Sequence, residues 1–515
     1  MNIFFYSIIL LFLSGFISLF IPEKQKAGFF TILMGFGTIG LVYVSLKQLF
    51  SAASIKYILP LNYPFGQVRL AIDPLSAFFI LVISVMGFLG AVYSMGYMKP
   101  YLSRNRPTGA HLFFYSSLSV FMLLVTVCQN APAFLIVWEL MSLSSFFLIV
   151  FENEKKEIVD AGINYLIQMH IGFLALLAGF VILWIRSGSP DFASFSVLIQ
   201  SQRHFAEIIF ILLFIGFGMK AGFFPLHTWL PRAHPAAPSP VSGIMSGVMI
   251  KIGIYGILRT IMFTGEPTLF ISYLVIIVAL VSGLLGVIYA IAQHDLKRLL
   301  AYHSVENIGI IGIGIGAGML GMAYRNPAMI MLGFSGAILH VLNHSLFKTL
   351  LFFGAGAVYQ AAHTRNIEKL GGLVKSMPYT SAFFLVGSLS ISGLPPFNGF
   401  ISELLIYMGM FNGLGLSRFG PVLCSILAVA SLAFIGAMAA ICFTKVFSVV
   451  FLGQPRKKTE TREAGPSMLI PMAVISALCL LIGIFPQYVF LLIKSPVLFM
   501  TGASVLSQDL IRTLK

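Results

Sequence analysis

A chain of 515 residues that is 58% hydrophobic and only 10% charged, with a mean hydropathy of +0.96, is not a soluble globular protein, in which about a quarter of the residues carry charge. The composition is that of a polytopic helical membrane protein, with room for roughly 14 spans of about 20 residues each and short loops between them. A net charge of +15 suggests nucleic acid in a soluble protein, but on short loops Lys and Arg set orientation, so the expected surroundings are the lipid bilayer and no nucleic acid.

Taken in order, apolar runs predict spans near 3–21, 28–50, 74–98, 111–129, 131–151, 160–186, 205–222 (continuing after a break to about 230), 240–264, 270–292, 297–319, 328–360, 379–411 (broken), 419–452 and 467–493. The first run lacks a charged leading region and a small-residue cleavage site, so it reads as a retained span. The runs 328–360, 379–411 and 419–452 exceed one bilayer thickness, so each must be tilted, broken or partly outside. The fold class is therefore all-α and polytopic, a single membrane domain over 1–515. Placing both ends outside gives the inner loops the larger share of Lys and Arg, with Arg104, Arg106, Lys297, Lys457 and Lys458 inside and Arg259, Arg512 and Lys515 outside. Four lysines are left over within predicted spans: Lys220, Lys251, Lys348 and Lys445. Glu139, Glu306 and Glu403 are the acids left over in the same way.

Charge at membrane depth is costly, and such residues mark ion or proton paths. Glu139 has Ser142 one turn away as a hydrogen-bond partner for its carboxyl; permanent pairing for helix assembly is the competing reading. Lys220 and Lys251 flank a segment interrupted by Pro225, Pro231, Pro235, Pro238 and Pro240. A break at that depth survives only inside protein or beside water. A desolvated lysine readily gives up its proton, and an arginine does not; snorkelling to an interface is the alternative. His227 and His234 flank the same break as polar residues lining water, without the spacing of a metal site.

His340, His344 and Lys348 recur at i, i+4 and i+8 with Asn343 between them, a polar stripe on one helix face. Histidines in series suit proton hopping, and helix–helix hydrogen bonding is the alternative. His303 and Glu306, at i and i+3, are either a relay or a static pair near the inner interface. Glu403 lies beyond the joint formed by Pro395, Pro396, Asn398 and Gly399. Lys445 approaches the inner face. An acid, a broken helix bearing an ionisable group and a lysine helix thus occur twice: Glu139, Lys220, Lys251 and Glu306, Glu403, Lys445.

Cys128, Cys424, Cys442 and Cys479 form no CxxC pair, so no disulfide, iron–sulfur or zinc ligation is expected. No nucleotide, haem or flavin fingerprint appears; the glycines of 312–318 lie within a span and read as helix packing. No cofactor and no metal are expected on this chain.

The segments IDPLSAFFI (72–80), MKAGFFPLHTWLPRAH (219–234), HDLKRLLAYHSVENIG (294–309), LNHSLFKTLLFFGAGAV (342–358) and SGLPPFNGFISE (392–403) resemble the antiporter-like proton-pumping subunits of complex I, of multisubunit Na+/H+ antiporters and of group 4 [NiFe]-hydrogenases. The wording around 233–256 and 301–309 looks most like the hydrogenase and formate hydrogenlyase branch. The resemblance implies about 14 transmembrane helices with two inverted five-helix repeats, each with a broken helix. N-terminal helices would occupy 1–110, the first repeat 111–265, the second 270–452, and a C-terminal helix and tail 467–515. It implies a proton axis of Glu139, Lys220, Lys251, His340, His344, Lys348 and Glu403, with His227, His303, Glu306 and Lys445 in secondary places. Some relatives carry lysine where this chain has Glu403. The implied protein is a proton-translocating subunit of an energy-converting oxidoreductase complex in a prokaryotic inner membrane, without a redox centre of its own. Its partners would be other membrane subunits and peripheral iron–sulfur and nickel subunits. A subunit of a multisubunit Na+/H+ antiporter is the alternative, and a membrane anchor with a vestigial polar axis is a third.

Overall fold

The computed structural model describes residues 1–63, 66–102, 108–200, 202–456 and 461–502. Arg104, Arg106, Lys457, Lys458, Arg512 and Lys515 of the loop-charge pattern lie outside them. Among the described residues, twelve helices are long and apolar enough to cross a membrane, and the shorter apolar helices Asn2–Ile17 and Pro378–Ile391 stand where spans are predicted.

Helices Asn2–Ile17 and Glu23–Ser51 lead into an antiparallel hairpin of strands Ile55–Tyr63 and Gly66–Ile72. This hairpin is an addition to the all-α expectation. Helices Pro74–Tyr97, Thr108–Val127, Ala131–Ile149 and Lys156–Ser187 follow, then the short Phe192–Gln200. Several starts are built by capping. Asp73 accepts from the Ser76 amide at 2.9 Å ahead of Pro74, and Asn130 accepts from the Ala133 amide at 3.2 Å ahead of Pro132, which satisfies amides that the first turn leaves free.

Both predicted breaks are present. Helix Arg203–Ala221 ends at Gly222, whose φ of +86° only glycine adopts without strain. After a turn the chain resumes as the short helix Leu230–Ala236. The second broken unit ends its first half, Pro378–Ile391, near Gly393 at φ +62°, and its second half is Asn398–Gly413. In contrast, 328–360 and 419–452 form unbroken helices, Pro327–Ala362 and Phe419–Phe451. The former has 36 residues and is about 54 Å long at 1.5 Å per residue, so it outreaches a bilayer core of roughly 30 Å. The predicted single span 467–493 is instead two helices, Pro466–Ile484 and Pro486–Thr501, because Pro486 biases Phe485 away from helical geometry.

Three elements form the centre. The continuous helical segment Ser239–Thr264 is 100% buried over its most apolar window, and Leu296–Tyr324 and Pro327–Ala362 are each 94% buried, against 33% for Lys156–Ser187 and Phe419–Phe451. Close approach explains how the central helices fit. A Cβ on Gly309 would fall 2.4 Å from the Gly283 amide nitrogen of helix Leu269–Ile291, and one on Gly333 would fall 2.4 Å from the Gly318 nitrogen. This is the small-residue packing of membrane helices, and it accounts for the glycines of 312–318.

Two charges counted for orientation are buried in helices. Arg259, assigned to the outer side, is buried within Ser239–Thr264 and paired with Asp73. Its Nε donates to Tyr255 Oη at 2.9 Å and its guanidinium also donates to Ser76 Oγ at 2.8 Å. Ser76 and Tyr255 both donate to the Thr126 carbonyl at 2.6 Å. Lys297, assigned to an inner loop, is buried and donates to the Ala237 carbonyl at 2.6 Å. Apolar position along a run does not disclose either, because burial depends on which helices cover the end of the span.

Candidate functional site

The leftover ionisable residues gather into two groups. The first lies between helices Ala131–Ile149, Lys156–Ser187 and Arg203–Ala221. Lys220 is 1% exposed, which rules out snorkelling. Its Nζ donates to Ser142 Oγ at 3.0 Å and to Tyr165 Oη at 3.1 Å, and it lies over the rings of Trp138 and Tyr165 at 5.8 and 5.6 Å. Ser142 therefore serves Lys220, not the Glu139 carboxyl as expected. Glu139 sits within electrostatic reach of Lys220 but neither of its oxygens has a hydrogen-bond partner. Its side chain is 19% exposed, and its ion-pair neighbour is His170, at 4.0 Å.

The second group fills the centre. Lys251 is 1% exposed and follows a π-helical turn, Met245–Met249. Its Nζ donates to the Ser246 carbonyl, an acceptor that the wide turn exposes. Ser246 Oγ meets Ser304 Oγ at 2.7 Å, which ties this helix to Leu296–Tyr324. Lys348, also buried, donates to the Leu300 carbonyl. His344 lies within electrostatic reach of Lys251, Lys348 and His340, and both its ring nitrogens are unpartnered. Glu306 faces Lys348 electrostatically and contacts His303 Nδ1 directly. Both members of that pair are fully buried, deeper than the interface position expected for them.

Polar contacts continue toward the second break. His340 Nε2 meets Asn307 Oδ1 at 3.1 Å, and its Nδ1 meets Ser402 Oγ at 2.9 Å. Asn343 donates to the Asn398 carbonyl at 2.7 Å and to Ser402 Oγ at 2.9 Å. The next residue is Glu403, mostly buried, with its carboxylate against Gly393: a Cβ there would lie 2.6 Å from Oε2. The structure thus brings Lys251, His340, His344, Lys348, His303, Glu306 and Glu403 into one buried tract.

Other expected residues fall outside it. His227 stacks on Phe224 at 5.2 Å, and His234 packs between Trp229 and Phe352 at 5.7 and 5.8 Å. His234 is fully buried and within electrostatic reach of Lys251, Lys297 and Lys348, so it is nearer the tract than His227. Among the described residues no three His, Cys, Asp or Glu side chains converge as metal ligands would. Lys445 is half-buried and donates to the Ile291 carbonyl at 3.0 Å, where it caps a helix end.

Tyr165 of the first group reaches toward the second, donating from Oη to Met249 Sδ at 3.9 Å, just ahead of Lys251. Sequence reasoning missed Tyr165, Asn307 and Ser402. Hydroxyls and amides are common in membrane helices, and only their distance from a lysine or histidine distinguishes these three.

Residues 128–426 match the model of the family described as NADH:quinone oxidoreductase/Mrp antiporter, TM, and residues 66–106 match that of NADH-Ubiquinone oxidoreductase (complex I), chain 5 N-terminus. The chain is 42% identical over 433 residues to hydrogenase-4 component B of Escherichia coli strain K12, covering 82% of this chain and 63% of that protein. It is 35% identical over 413 residues to formate hydrogenlyase subunit 3 of the same organism, covering 80% and 66%. It therefore spans about two thirds or less of the length of these relatives. In fold it is similar to a chain of the membrane-bound sulfane sulfur reductase, an archaeal respiratory membrane complex, with a TM-score of 0.82 at 24% identity over 96% of this chain and 77% of that one.

Proposed function

Because the chain belongs to the NADH:quinone oxidoreductase/Mrp antiporter membrane-subunit family, we propose that it translocates protons as one membrane subunit of an energy-converting oxidoreductase complex of the hydrogenase, formate hydrogenlyase or complex I type. It is a multi-pass prokaryotic membrane protein. One observation carries the reading: buried Lys220, held by the hydroxyls of Ser142 and Tyr165 over the rings of Trp138 and Tyr165, has a carboxylate within electrostatic reach but not bonded to it. A lysine held by neutral groups can shed its proton when the nearby negative charge is withdrawn.

In this reading, charge at Glu139 governs Lys220. The proton leaving Lys220 crosses the Tyr165–Met249 layer to Lys251, with water wetting that layer transiently. It then passes through His344 and Lys348, with His340 and the His303–Glu306 pair beside them, to Glu403. Lys251 and Lys348 lie within electrostatic reach of each other, so a charge on one disfavours a charge on the other, which drives the proton onward. The division into repeats over 111–265 and 270–452 belongs to the same reading and is supported by the two helix breaks. Redox chemistry falls to partner subunits, for which the proposal names peripheral iron–sulfur and nickel proteins.

Lys220→Ala in the complex reconstituted into vesicles tests this. Loss of pumping with redox turnover retained is expected, and pumping at the unaltered rate refutes the reading. The alternative, Na+/H+ exchange within a multisubunit antiporter, draws on the family's Mrp branch. It predicts co-purification with small hydrophobic subunits and no iron or nickel.

A further inference from the structure

His170 lies halfway along Lys156–Ser187, at membrane depth, yet its side chain is 51% exposed. An ionisable ring facing outward there is costly unless it has a task. Its Nδ1 meets the Leu166 carbonyl at 2.9 Å. A carbonyl only accepts, so Nδ1 carries hydrogen and Nε2 is the nitrogen that gains or loses a proton. Nε2 faces Glu139 Oε2 at 4.0 Å. The carboxylate has no hydrogen bond, and Lys220 is turned to Ser142 and Tyr165. Beside Glu139 runs an apolar groove of about 460 Å³, walled by Leu135, Phe173, Leu177 and Trp184. It leaves the carboxyl room to turn.

We propose that His170 and Glu139 hold one proton between them, and that this pair sets whether Glu139 serves as counter-charge to Lys220. With one proton on the pair its net charge is zero, either as imidazolium with carboxylate or as imidazole with carboxylic acid. Transfer within the pair breaks the Nε2–H bond and forms Oε2–H, once the 4.0 Å separation closes to the roughly 3 Å of a hydrogen bond. In both forms Lys220 loses its counter-charge. When the pair gives its proton through the exposed edge of His170, to water or to an ionisable side chain of a neighbouring membrane subunit, the carboxylate alone faces Lys220 and favours the ammonium. The other groups facing the pair are few. Lys220 comes from Arg203–Ala221 and Tyr165 from the His170 helix itself. His227 and His234 are occupied with aromatic rings, as described above.

The inference rests on the proton-translocation reading of Lys220, and its test is separable from that of Lys220→Ala. Infrared spectra of the intact complex with 13C-labelled glutamate, assigned by Glu139→Gln, report the Glu139 carboxyl directly. His170→Gln, which keeps polarity but cannot titrate, is expected to shift that band and to slow pumping about a hundredfold, the low end of what a positioned proton donor contributes to a rate. If His170→Gln fails to assemble, His170→Phe gives the same spectral comparison with the ring's volume kept. A Glu139 band unmoved by either variant overturns the proposal. A band that moves while Lys220→Ala still pumps leaves the pair intact and refutes only the role of Lys220.

Discussion

The two broken helices carry opposite charges, and only the first sits where its half-helix suits it. Lys220 lies in the last turn of Arg203–Ala221, where the free carbonyls make the end partly negative. Such a placement contributes about 0.3–1 kcal/mol at an exposed end and more where water is scarce. Glu403 is the sixth residue of Asn398–Gly413, past the first turn and its free amides. Their surroundings differ as well. Lys220 is reached from the lateral face through Glu139 and His170, whereas Glu403 closes a tract of histidines, amides and lysines with almost no exposure. In the proposed path, the first break is the end that answers to a neighbour and the second the end that holds what has been passed on.

That contrast is exposed to mutation. The largest effect is expected from inverting charge at the first break. Lys220→Glu sets an anion at a negative helix end within reach of Glu139, and should abolish pumping and lower the yield of assembled complex. Glu403→Lys should keep measurable pumping, since that site needs a protonatable group more than a given sign. Vesicle acidification and subunit yield measure both, and equal loss in the two would erase the distinction between the breaks. Next comes Arg259→Ala, which leaves Asp73 buried and unpaired. A cost of about 3–5 kcal/mol is expected, read as a lower melting temperature, with Asp73→Asn/Arg259→Gln recovering part of it. Smaller still is Ser142→Ala, which removes one of two hydroxyls on Lys220. It should slow pumping severalfold, and Ser142→Thr should restore it. If Ser142→Ala is silent, Tyr165 alone holds the lysine.

The breaks and the buried lysines were legible in the sequence, because proline and charge inside apolar runs have few structural excuses. So was the stripe of His340, His344 and Lys348, since a spacing of four puts residues on one face whatever the tertiary fold. Arg259 and Lys297 were not legible. Each stands near the end of an apolar run, where a loop and a covered helix end have the same local sequence. His170 was hidden for the opposite reason. It lies in a lipid-facing helix among Ile163, Ile167 and Ile171, and nothing local announces that Glu139 of another helix comes opposite. The hairpin of strands Ile55–Tyr63 and Gly66–Ile72 falls between the predicted spans 28–50 and 74–98, and its first strand, IKYILPLNY, lacks the strict alternation that marks a half-buried strand.

The π-turn at Met245–Met249 has a consequence for register. A regular helix advances about 100° per residue, and a single wide turn absorbs one surplus residue. Arg259, fixed to Asp73, anchors one end of the helix, and Ser239–Ile244, wedged after the first break, anchors the other. Deleting Gly247 would take out that surplus residue, and the turn would close to regular helix with both ends still in register. Lys251 would keep its place in the helix, but the Ser246 carbonyl, drawn into an ordinary helical bond, would no longer be free to accept from it. The segment should therefore tolerate a one-residue deletion in fold while losing the acceptor on Lys251, and an insertion, which adds a second surplus residue, should be tolerated less.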